Sequence, residues 1–246
     1  TRAEESTRKA HKTTRDAATN PFINLYENVL LSTENWQDYD VVGISIVGIS
    51  QIIPGLTLAR MIKEKYPHLH ITLGGPIFSV NAGQLIGHPE FFDDFCHSVV
   101  TFEGEEPMHR LLSALKAGDS LSTVPNLLHL DGREVVQNKE RVELRFEELP
   151  HPDFDGLPMD KYLSPYPILP VLQSRGCYWG KCTFCTHSFV YGHRYGKQKT
   201  QAMVDELEKL MKKYNTKYFT FSDEAVSPHS LNDVSEEMIE RGVEIR

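Results

Sequence analysis

The sequence is poor in cysteine, in basic runs and in long apolar stretches, and each shortage argues against a class of protein. Four cysteines in 246 residues argue against a secreted disulfide framework. The formal net charge is −8, and no basic block stands out beyond a short stretch near the N-terminus, so no nucleic-acid-binding surface is expected. No apolar run approaches the roughly 20 residues that span a bilayer, and residues 1–20 lack the pattern of a signal peptide. We therefore expect no membrane association and a reducing, cytoplasmic location.

Three of the four cysteines fall close together in the second half of the chain. Cys177, Cys182 and Cys185 form a segment, the cysteine loop (residues 177–185), that follows an apolar, strand-like run. Three thiolates without a nearby fourth fit an iron–sulfur cluster in which one iron stays open to another ligand. A structural zinc site takes four ligands, and His187 offers a fourth. Zinc therefore remains an alternative.

Alternating strand and helix patterns in the first half predict an α/β fold with a doubly wound parallel sheet. Residues 40–47, 70–73 and 98–102 are apolar and rich in β-branched side chains, which is typical of strands buried on both faces. Residues 54–66 and 107–115 have the spacing of amphipathic helices. Strand–helix alternation of this kind favours a parallel sheet covered by helices.

The pattern then changes, and it predicts a division of the chain. Asp131-Gly132 lies between two short apolar runs and is a strong hairpin signal, after which prolines become frequent. The second β/α series is short, whereas a β/α barrel takes roughly 200 residues or more, so we expect a truncated barrel and truncation at both ends of the chain. The predicted segments are a polar N-terminal arm (1–21), an α/β domain (22–120), a hairpin and proline-rich linker (121–165) and the first part of a barrel (166–246).

The cysteine loop resembles that of the radical S-adenosylmethionine (SAM) superfamily. The usual spacing there is C-x-x-x-C-x-x-C with an aromatic residue before the last cysteine, and Phe184 occupies that position here. The first gap is one residue longer in this chain, which resembles a subset of cobalamin-domain members with Cys-Tyr-Trp-Gly in the loop. The resemblance implies that Cys177, Cys182 and Cys185 bind three irons of a 4Fe-4S cluster and leave the fourth iron to SAM.

The same resemblance implies further SAM contacts in the barrel. Phe184 is expected near the adenine, and Ser222, Asp223 and Glu224, at the end of the second barrel strand, resemble the segment that binds the methionine amino group. Active sites of β/α barrels are built at this end of the strands. The alternative is a turn before a helix, where acidic residues are favourable without any ligand.

The front half resembles the cobalamin-binding domain that precedes such barrels. Ligands of open α/β sheets lie beyond the carboxyl ends of the strands, and glycines there would let a corrin ring approach the backbone. The alternatives are a tight turn at the glycine pair and acidic residues that favour a helix start. The Asp-x-His-x-x-G motif that ligates cobalt in other cobalamin proteins is absent from the sequence, as in radical SAM relatives. The implied cobalamin-binding residues are Ser45, Gly74, Gly75, Glu103, Gly104 and Glu105.

The resemblance implies an enzyme that cleaves SAM reductively to a 5′-deoxyadenosyl radical, most often for methylation of an unactivated carbon. Its implied partners are a small-molecule or peptide substrate and an electron donor such as flavodoxin or ferredoxin. Two alternatives stay open: a radical SAM enzyme that carries out a rearrangement or oxidation, and a zinc-stabilised binding module that uses His187. No catalytic side chain is identified from the sequence.

Overall fold

The computed structural model of the protein describes residues 2–192 and 194–246. Two compact units divide the chain between Glu143 and Leu144. This division lies inside residues 121–165, where the sequence predicts a hairpin and a linker. Among the described residues, no helix combines the length and the apolar character that a membrane span requires.

The N-terminal unit is built on a five-stranded sheet in the order β1-β2-β3-β4-β5. The first three strands are parallel, and the hairpin of the last two adds antiparallel pairs to β3. The predicted α/β class with parallel strands is confirmed, and the hairpin makes the sheet mixed. Its bounds are β1 (Val41–Ser45), β2 (His70–Gly74), β3 (Ser98–Val100), β4 (Leu127–Asp131) and β5 (Glu134–Gln137).

Helices cover both faces of this sheet, and apolar side chains of its strands pack on each face. Val99 and Leu128 face the core formed with α4, α5 and α6, whereas Val100 and Leu127 pack against Leu111 of α7 on the other face. Successive residues of a strand point to opposite faces, so both faces demand apolar side chains. The helices are α1 (Arg2–Thr13), α2 (Pro21–Leu25), a π-helical turn (Tyr26–Leu30), α3 (Leu31–Thr33), α4 (Ile52–Lys65), α5 (Pro76–Leu85), α6 (Pro89–Phe95) and α7 (Glu105–Ala117).

The segment for which the sequence predicts a polar arm contains helix α1 and packs through polar contacts. Asn20 Nδ2 donates to Thr57 Oγ1 of α4 at 2.9 Å, and both residues are buried. Arg15 Nη2 donates to Glu64 Oε1 of the same helix at 3.0 Å. Apolar periodicity does not reveal such packing, because hydrogen bonds rather than apolar side chains carry it.

The C-terminal unit begins a β/α series. β6 and β9 pair in parallel with α9 between them in sequence, while β7 and β8 form an antiparallel pair. Beyond α10, Arg246 donates to Lys217 O at 2.7 Å and accepts from Phe219 N at 3.0 Å, the bonding of a parallel neighbour of β9. The bounds are β6 (Ile168–Val171), β7 (Ser174–Gly176), α8 (His187–Val190), β8 (Tyr195–Lys197), α9 (Thr200–Tyr214), β9 (Tyr218–Phe221) and α10 (Pro228–Arg241).

The core of this unit lies between the strand pair and the two long helices. Leu169 and Val171 of β6 pack with Leu207 of α9 and Val234 of α10. The alternate strand residues, Ile168 among them, face away from this core. Helices therefore cover one face of the β6–β9 pair, as on the outside of a β/α barrel.

Candidate cofactor site

The cysteine loop begins directly after a backbone position that only glycine fits. Gly176, the last residue of β7, has φ +89°, and a Cβ added there would lie 2.2 Å from the carbonyl oxygen of Arg194. The same residue pairs with Tyr195 of β8. A side chain at position 176 would thus force the β7–β8 pair apart directly before Cys177.

The three cysteines are free thiols at the surface of this unit. Cys177 is half-buried, whereas Cys182 and Cys185 are exposed. The backbone N–H of Cys185 donates to Cys182 O at 3.3 Å. In the described part of the chain, no three histidine, cysteine, aspartate or glutamate side chains are grouped closely enough to hold a metal ion. Phe184, for which the sequence predicts a place near adenine, is 88% exposed.

Unpartnered polar atoms gather around the loop and fit the presence of a bound group. Four buried side-chain atoms in this region lack a hydrogen-bond partner among the described residues. Native proteins satisfy most buried polar groups, so a cluster of exceptions marks a place where further donors or acceptors belong. Together with three thiols, which are the donors that iron–sulfur clusters use, these residues fit the implied cofactors. The atoms are Gln173 Oε1, His187 Nε2, Tyr195 Oη and Gln198 Oε1.

The segment at the end of β9 lies against the strand that leads into the loop. Ser222 N donates to Val171 O at 2.9 Å, which continues the β6–β9 pairing. The carboxylate of Asp223 accepts from the backbone N–H of Gln173 at 3.1 Å and from that of Ser174 at 2.6 Å. Both oxygens of Asp223 therefore accept hydrogen bonds within the protein.

Glu224 faces the other end of the cysteine loop. One carboxylate oxygen lies 3.3 Å from Nε2 of His187, the first residue of α8. The two groups lack the alignment of a hydrogen bond. His187, which sequence analysis kept as a fourth zinc ligand, thus has a carboxylate as its neighbour.

Sequence analysis missed a cavity that lies in the same unit. This linker cavity has a volume of about 310 Å³ and is bounded mainly by proline and phenylalanine side chains between residues 146 and 172, together with Ser222. Its wall includes the carboxylate of Glu206, which is 2% exposed and accepts from His151 Nδ1 at 2.6 Å and from Gln198 Nε2 at 3.2 Å. Glu206 lies on the helix α9, where its spacing is that of a core position, and this is the signal that could have identified it.

In the N-terminal unit, four of the six residues implied by the cobalamin resemblance line one cleft. Ser45, Gly74, Gly75 and Gly104 border this glycine cleft, whose volume is about 330 Å³, at the carboxyl ends of β1, β2 and β3. Glu103 and Glu105 flank the start of α7 and are not among its lining residues. Sequence reasoning missed the remaining part of the wall, which includes Gly43, Thr72, Phe102 and Met108.

The glycines of the cleft differ in whether the protein's own packing requires glycine at their positions. Gly75 has φ +107°, and a Cβ there would lie 2.4 Å from Ile46 O, so the protein itself requires glycine. At Gly74 and Gly104 the nearest atoms would lie at ordinary distances of 3.6 and 3.9 Å. No packing contact accounts for glycine at these two positions, and the missing side chains leave the cleft open for a ligand.

Phe102 occupies a sparsely populated backbone conformation in the wall of the same cleft. Its φ is +61°, and its N–H donates to Ser79 Oγ at 2.7 Å. The guanidinium carbon of Arg141 lies 3.8 Å from the centre of its ring. Left-handed backbone at a non-glycine residue is uncommon and concentrates at ligand sites.

Comparison with known proteins relates the chain to methyl-transferring and ring-forming relatives. No protein-family model matches it. It is 28% identical over 212 residues to an uncharacterized methyltransferase of Pyrococcus horikoshii, covering 85% of this chain and 45% of the relative. It is 26% identical over 210 residues to the anaerobic magnesium-protoporphyrin IX monomethyl ester cyclase of Cereibacter sphaeroides, covering 80% and 33%. The chain thus spans less than half the length of these curated relatives.

Solved structures share the fold of this chain. The cobalamin-dependent SAM radical enzyme OxsB, solved with aqua-cobalamin, superposes with a TM-score of 0.66 at 23% identity and covers 91% of this chain and 31% of its own. The chain has the fold of the cobalamin-dependent radical SAM enzymes. The methyltransferase TsrM of Kitasatospora setae, solved with cobalamin and a [4Fe-4S] cluster, gives 0.57 at 19% identity over 87% of this chain and 45% of its own. The resemblance carried by the cysteine loop is therefore confirmed at the level of fold.

Proposed function

We propose that this chain is the cofactor-binding part of a cobalamin-dependent radical SAM enzyme that methylates an unactivated carbon. The observation that carries the proposal is the three-cysteine loop, which follows β7 and whose flanking residues contact the end of β9, in a chain with the fold of radical SAM enzymes. The relative from Pyrococcus horikoshii is named as an uncharacterized methyltransferase, and this favours methyl transfer.

The residues of the C-terminal unit would bind the cluster and SAM. Cys177, Cys182 and Cys185 would hold three irons through their thiolates. Backbone groups of Ser222, Asp223 and Glu224 lie beside the loop and would orient SAM at the carboxyl edge of the strands. When bound, the cluster and SAM would supply a 5′-deoxyadenosyl radical, and cobalamin would supply a transferable methyl group.

The residues of the N-terminal unit would bind cobalamin. The glycine cleft offers an apolar wall without side chains at Gly74 and Gly104, so a large flat ligand can approach the backbone closely. Ser45, Glu103 and Glu105 would contact the ligand at the rim, where polar groups fix orientation. A flavodoxin or ferredoxin as electron donor, a small-molecule or peptide substrate and a cytoplasmic location belong to the same proposal.

A second candidate function is a radical reaction without methyl transfer. The relative in Cereibacter sphaeroides is named as a cyclase that acts under anaerobic conditions on a magnesium porphyrin ester. That relationship favours an oxidation or ring closure on the same cofactors. The zinc-stabilised module, in which His187 is the fourth ligand, differs from both in needing no iron.

Anaerobic reconstitution with iron, sulfide and hydroxocobalamin tests the proposal. We expect about four irons per chain, and we expect that alanine at Cys177, Cys182 or Cys185 removes them together. Thr183→Ala, an exposed change within the same loop, is the matched control and should retain the iron. Cobalt near one per chain supports the cobalamin site. Zinc in place of iron, with loss of the metal in His187→Ala, would establish the binding module instead.

Methyl transfer and the non-methylating reaction are separated by the products. With SAM labelled in its methyl group, the methyltransferase places label in the substrate, whereas the alternative forms 5′-deoxyadenosine and leaves the substrate unlabelled. Because the curated relatives are more than twice as long as the matched region, the full-length relative from Pyrococcus horikoshii is assayed beside this chain.

A further inference from the structure

Two adjacent residues at the end of β9 contact the two sides of the cysteine loop. Asp223 reaches Gln173 and Ser174, which precede the loop, and Glu224 lies next to His187, which follows it. Asp223 and Glu224 are neighbours in the chain, so residues on both sides of the loop lie against one point. The carboxylates are the groups that make these contacts.

The Asp223 carboxylate satisfies donors that have no access to water. Ser174 is fully buried and Gln173 is 2% exposed. Besides the two backbone bonds, the Ser174 hydroxyl donates to Oδ1 of Asp223 at 2.5 Å. Hydrogen bonds to an ionised acceptor are about twice as strong as neutral ones. Removing this acceptor would leave two buried N–H groups unpaired, which is costly.

The ordinary alternative for acidic residues here is a favourable helix start, and the structure does not support it. Helix α10 begins at Pro228, and its N-cap is Ser227, whose side chain accepts from Ser230 N at 3.2 Å. Asp223 and Glu224 therefore lie outside the first turn of α10, to which charge–dipole stabilisation is confined. Their contacts are instead with the residues that flank the cysteines.

We propose that Asp223 and Glu224 are positioning residues that together fix the two ends of the cysteine loop and so set the spacing of Cys177, Cys182 and Cys185. The inference rests on the proposed function, because spacing matters only if the three thiols share one cluster. The gap between Cys177 and Cys182 holds four residues. A longer loop has more conformations to lose on closure, so anchored flanks reduce the cost of bringing the thiols together.

The first experiment measures the anchoring without any cofactor. Amide hydrogen exchange is followed in the parent, in Asp223→Asn and in Glu224→Gln. In Asp223→Asn we expect exchange at Gln173 and Ser174 to accelerate on the order of tenfold, which corresponds to about 1.4 kcal/mol. In Glu224→Gln the acceleration should appear in α8. Asp153→Asn is the matched control, since Asp153 accepts from Lys213 and Tyr214 in the same unit, away from the loop.

The second experiment reads the cluster itself. After anaerobic reconstitution, we expect Asp223→Asn to bind less iron than the parent and to lose the change that SAM produces in the electron paramagnetic resonance spectrum of the reduced cluster. Ser174→Ala keeps both backbone bonds to Asp223, so its iron content and its spectral response to SAM should lie between those of Asp223→Asn and the parent. A purely structural carboxylate would lower protein yield but leave the spectrum of the reconstituted fraction unchanged.

Each outcome decides the proposal. Accelerated exchange together with an altered cluster spectrum supports it, whereas exchange at the parent rate at Gln173 and Ser174 in Asp223→Asn, or in α8 in Glu224→Gln, overturns it. Parent-like iron content and parent-like response to SAM in that variant overturn it as well. If the parent takes up no iron, the proposed function fails. The exchange data then show only whether the anchoring exists, and the proposed role in setting a cluster fails with that function.

Discussion

A β-carbon on Gly75 would meet the carbonyl oxygen of Ile46 at 2.4 Å, so the residues that directly follow β2 and β1 touch backbone to backbone. Gly75 also has φ +107°, which L-residues with a side chain rarely adopt. We expect Gly75→Ala to lower the free energy of unfolding of the N-terminal unit by more than about 2 kcal/mol. Hydrogen exchange in β1 and β2 measures this separately from the other unit.

Gly83→Ala is the comparison for that variant. A Cβ on Gly83, within α5, would meet nothing within 4 Å, and alanine favours helix by up to about 1 kcal/mol over glycine. Exchange protection in this variant should be equal to the parent's or higher. Equal protection in the Gly75 and Gly83 variants would contradict the steric argument.

Gly43 allows the glycine cleft to be filled without disturbing the sheet. A Cβ there would lie at ordinary distances from Thr72 and Met108, 3.7 and 3.9 Å, and valine is favourable in strands. We expect Gly43→Val to change stability by less than about 1 kcal/mol and to weaken hydroxocobalamin binding about tenfold or more. Equilibrium titration followed by absorbance measures the affinity. Parent-like affinity would place the cobalamin elsewhere.

His70 and His97 predict a pH dependence of the N-terminal unit. Burial lowers the pKa of each imidazole from 6.5 to about 4, and Nδ1 of His97 accepts from Ile71 N at 2.8 Å. The folded state therefore holds both rings neutral, while the unfolded chain binds protons at higher pH. Stability should be complete above pH 6.5 and fall as the pH drops from about 6.5 towards 4.

Urea denaturation monitored by exchange in β2, at pH 7.5 and at pH 5.5, checks this. In His97→Asn the amide oxygen can accept the hydrogen bond from Ile71 N without titrating. The loss of stability between pH 7.5 and pH 5.5 should therefore be smaller in this variant. An unchanged loss in that variant would assign the pH dependence to other groups. His70 continues to titrate there, and a double variant with His70→Asn should remove most of what remains.

Glu206 is a buried carboxyl side chain in the wall of the linker cavity. Its carboxylate accepts from His151 and Gln198 while being 2% exposed. Glu206→Ala removes the acceptor for both side chains and leaves a hole, so we expect a loss of about 2–4 kcal/mol in the C-terminal unit. Glu206→Gln keeps one acceptor and should lose less. Exchange protection along α9 measures the two losses. A larger loss in Glu206→Gln than in Glu206→Ala would contradict this prediction.

Strands and the cysteine motif were readable from the sequence because local patterns determine them. The apolar runs at β1, β2 and β3 and the Asp131-Gly132 hairpin have signals within a few residues, and the structure contains these elements. Partners distant in sequence were not readable. The pairing of β4 with β3 depends on contacts made by the whole sheet, and the bonds from Asp223 to Gln173 and Ser174 join residues about 50 positions apart.

The positive φ of Phe102 had no signal in the sequence either, because nothing local distinguishes this phenylalanine from one in a strand. Its conformation is fixed by the bond from its N–H to Ser79 of α5. Gly43 and Met108 were likewise not recognised as part of the cleft, since they come from elements separated by more than 60 positions. The assignment of individual cofactor-binding residues stays a prediction for the same reason.

The exposed thiols of Cys182 and Cys185 have a practical consequence for handling the protein. Two accessible thiols in a Cys-x-x-Cys segment are prone to oxidation. In air, oxygen would take two electrons and the two protons, and a disulfide would join these sulfurs, leaving Cys177 as the one thiol of the cysteine loop. Such a preparation would be folded and pure but would not bind metal until a reductant was added. Storage under nitrogen therefore decides what any assay of this chain measures.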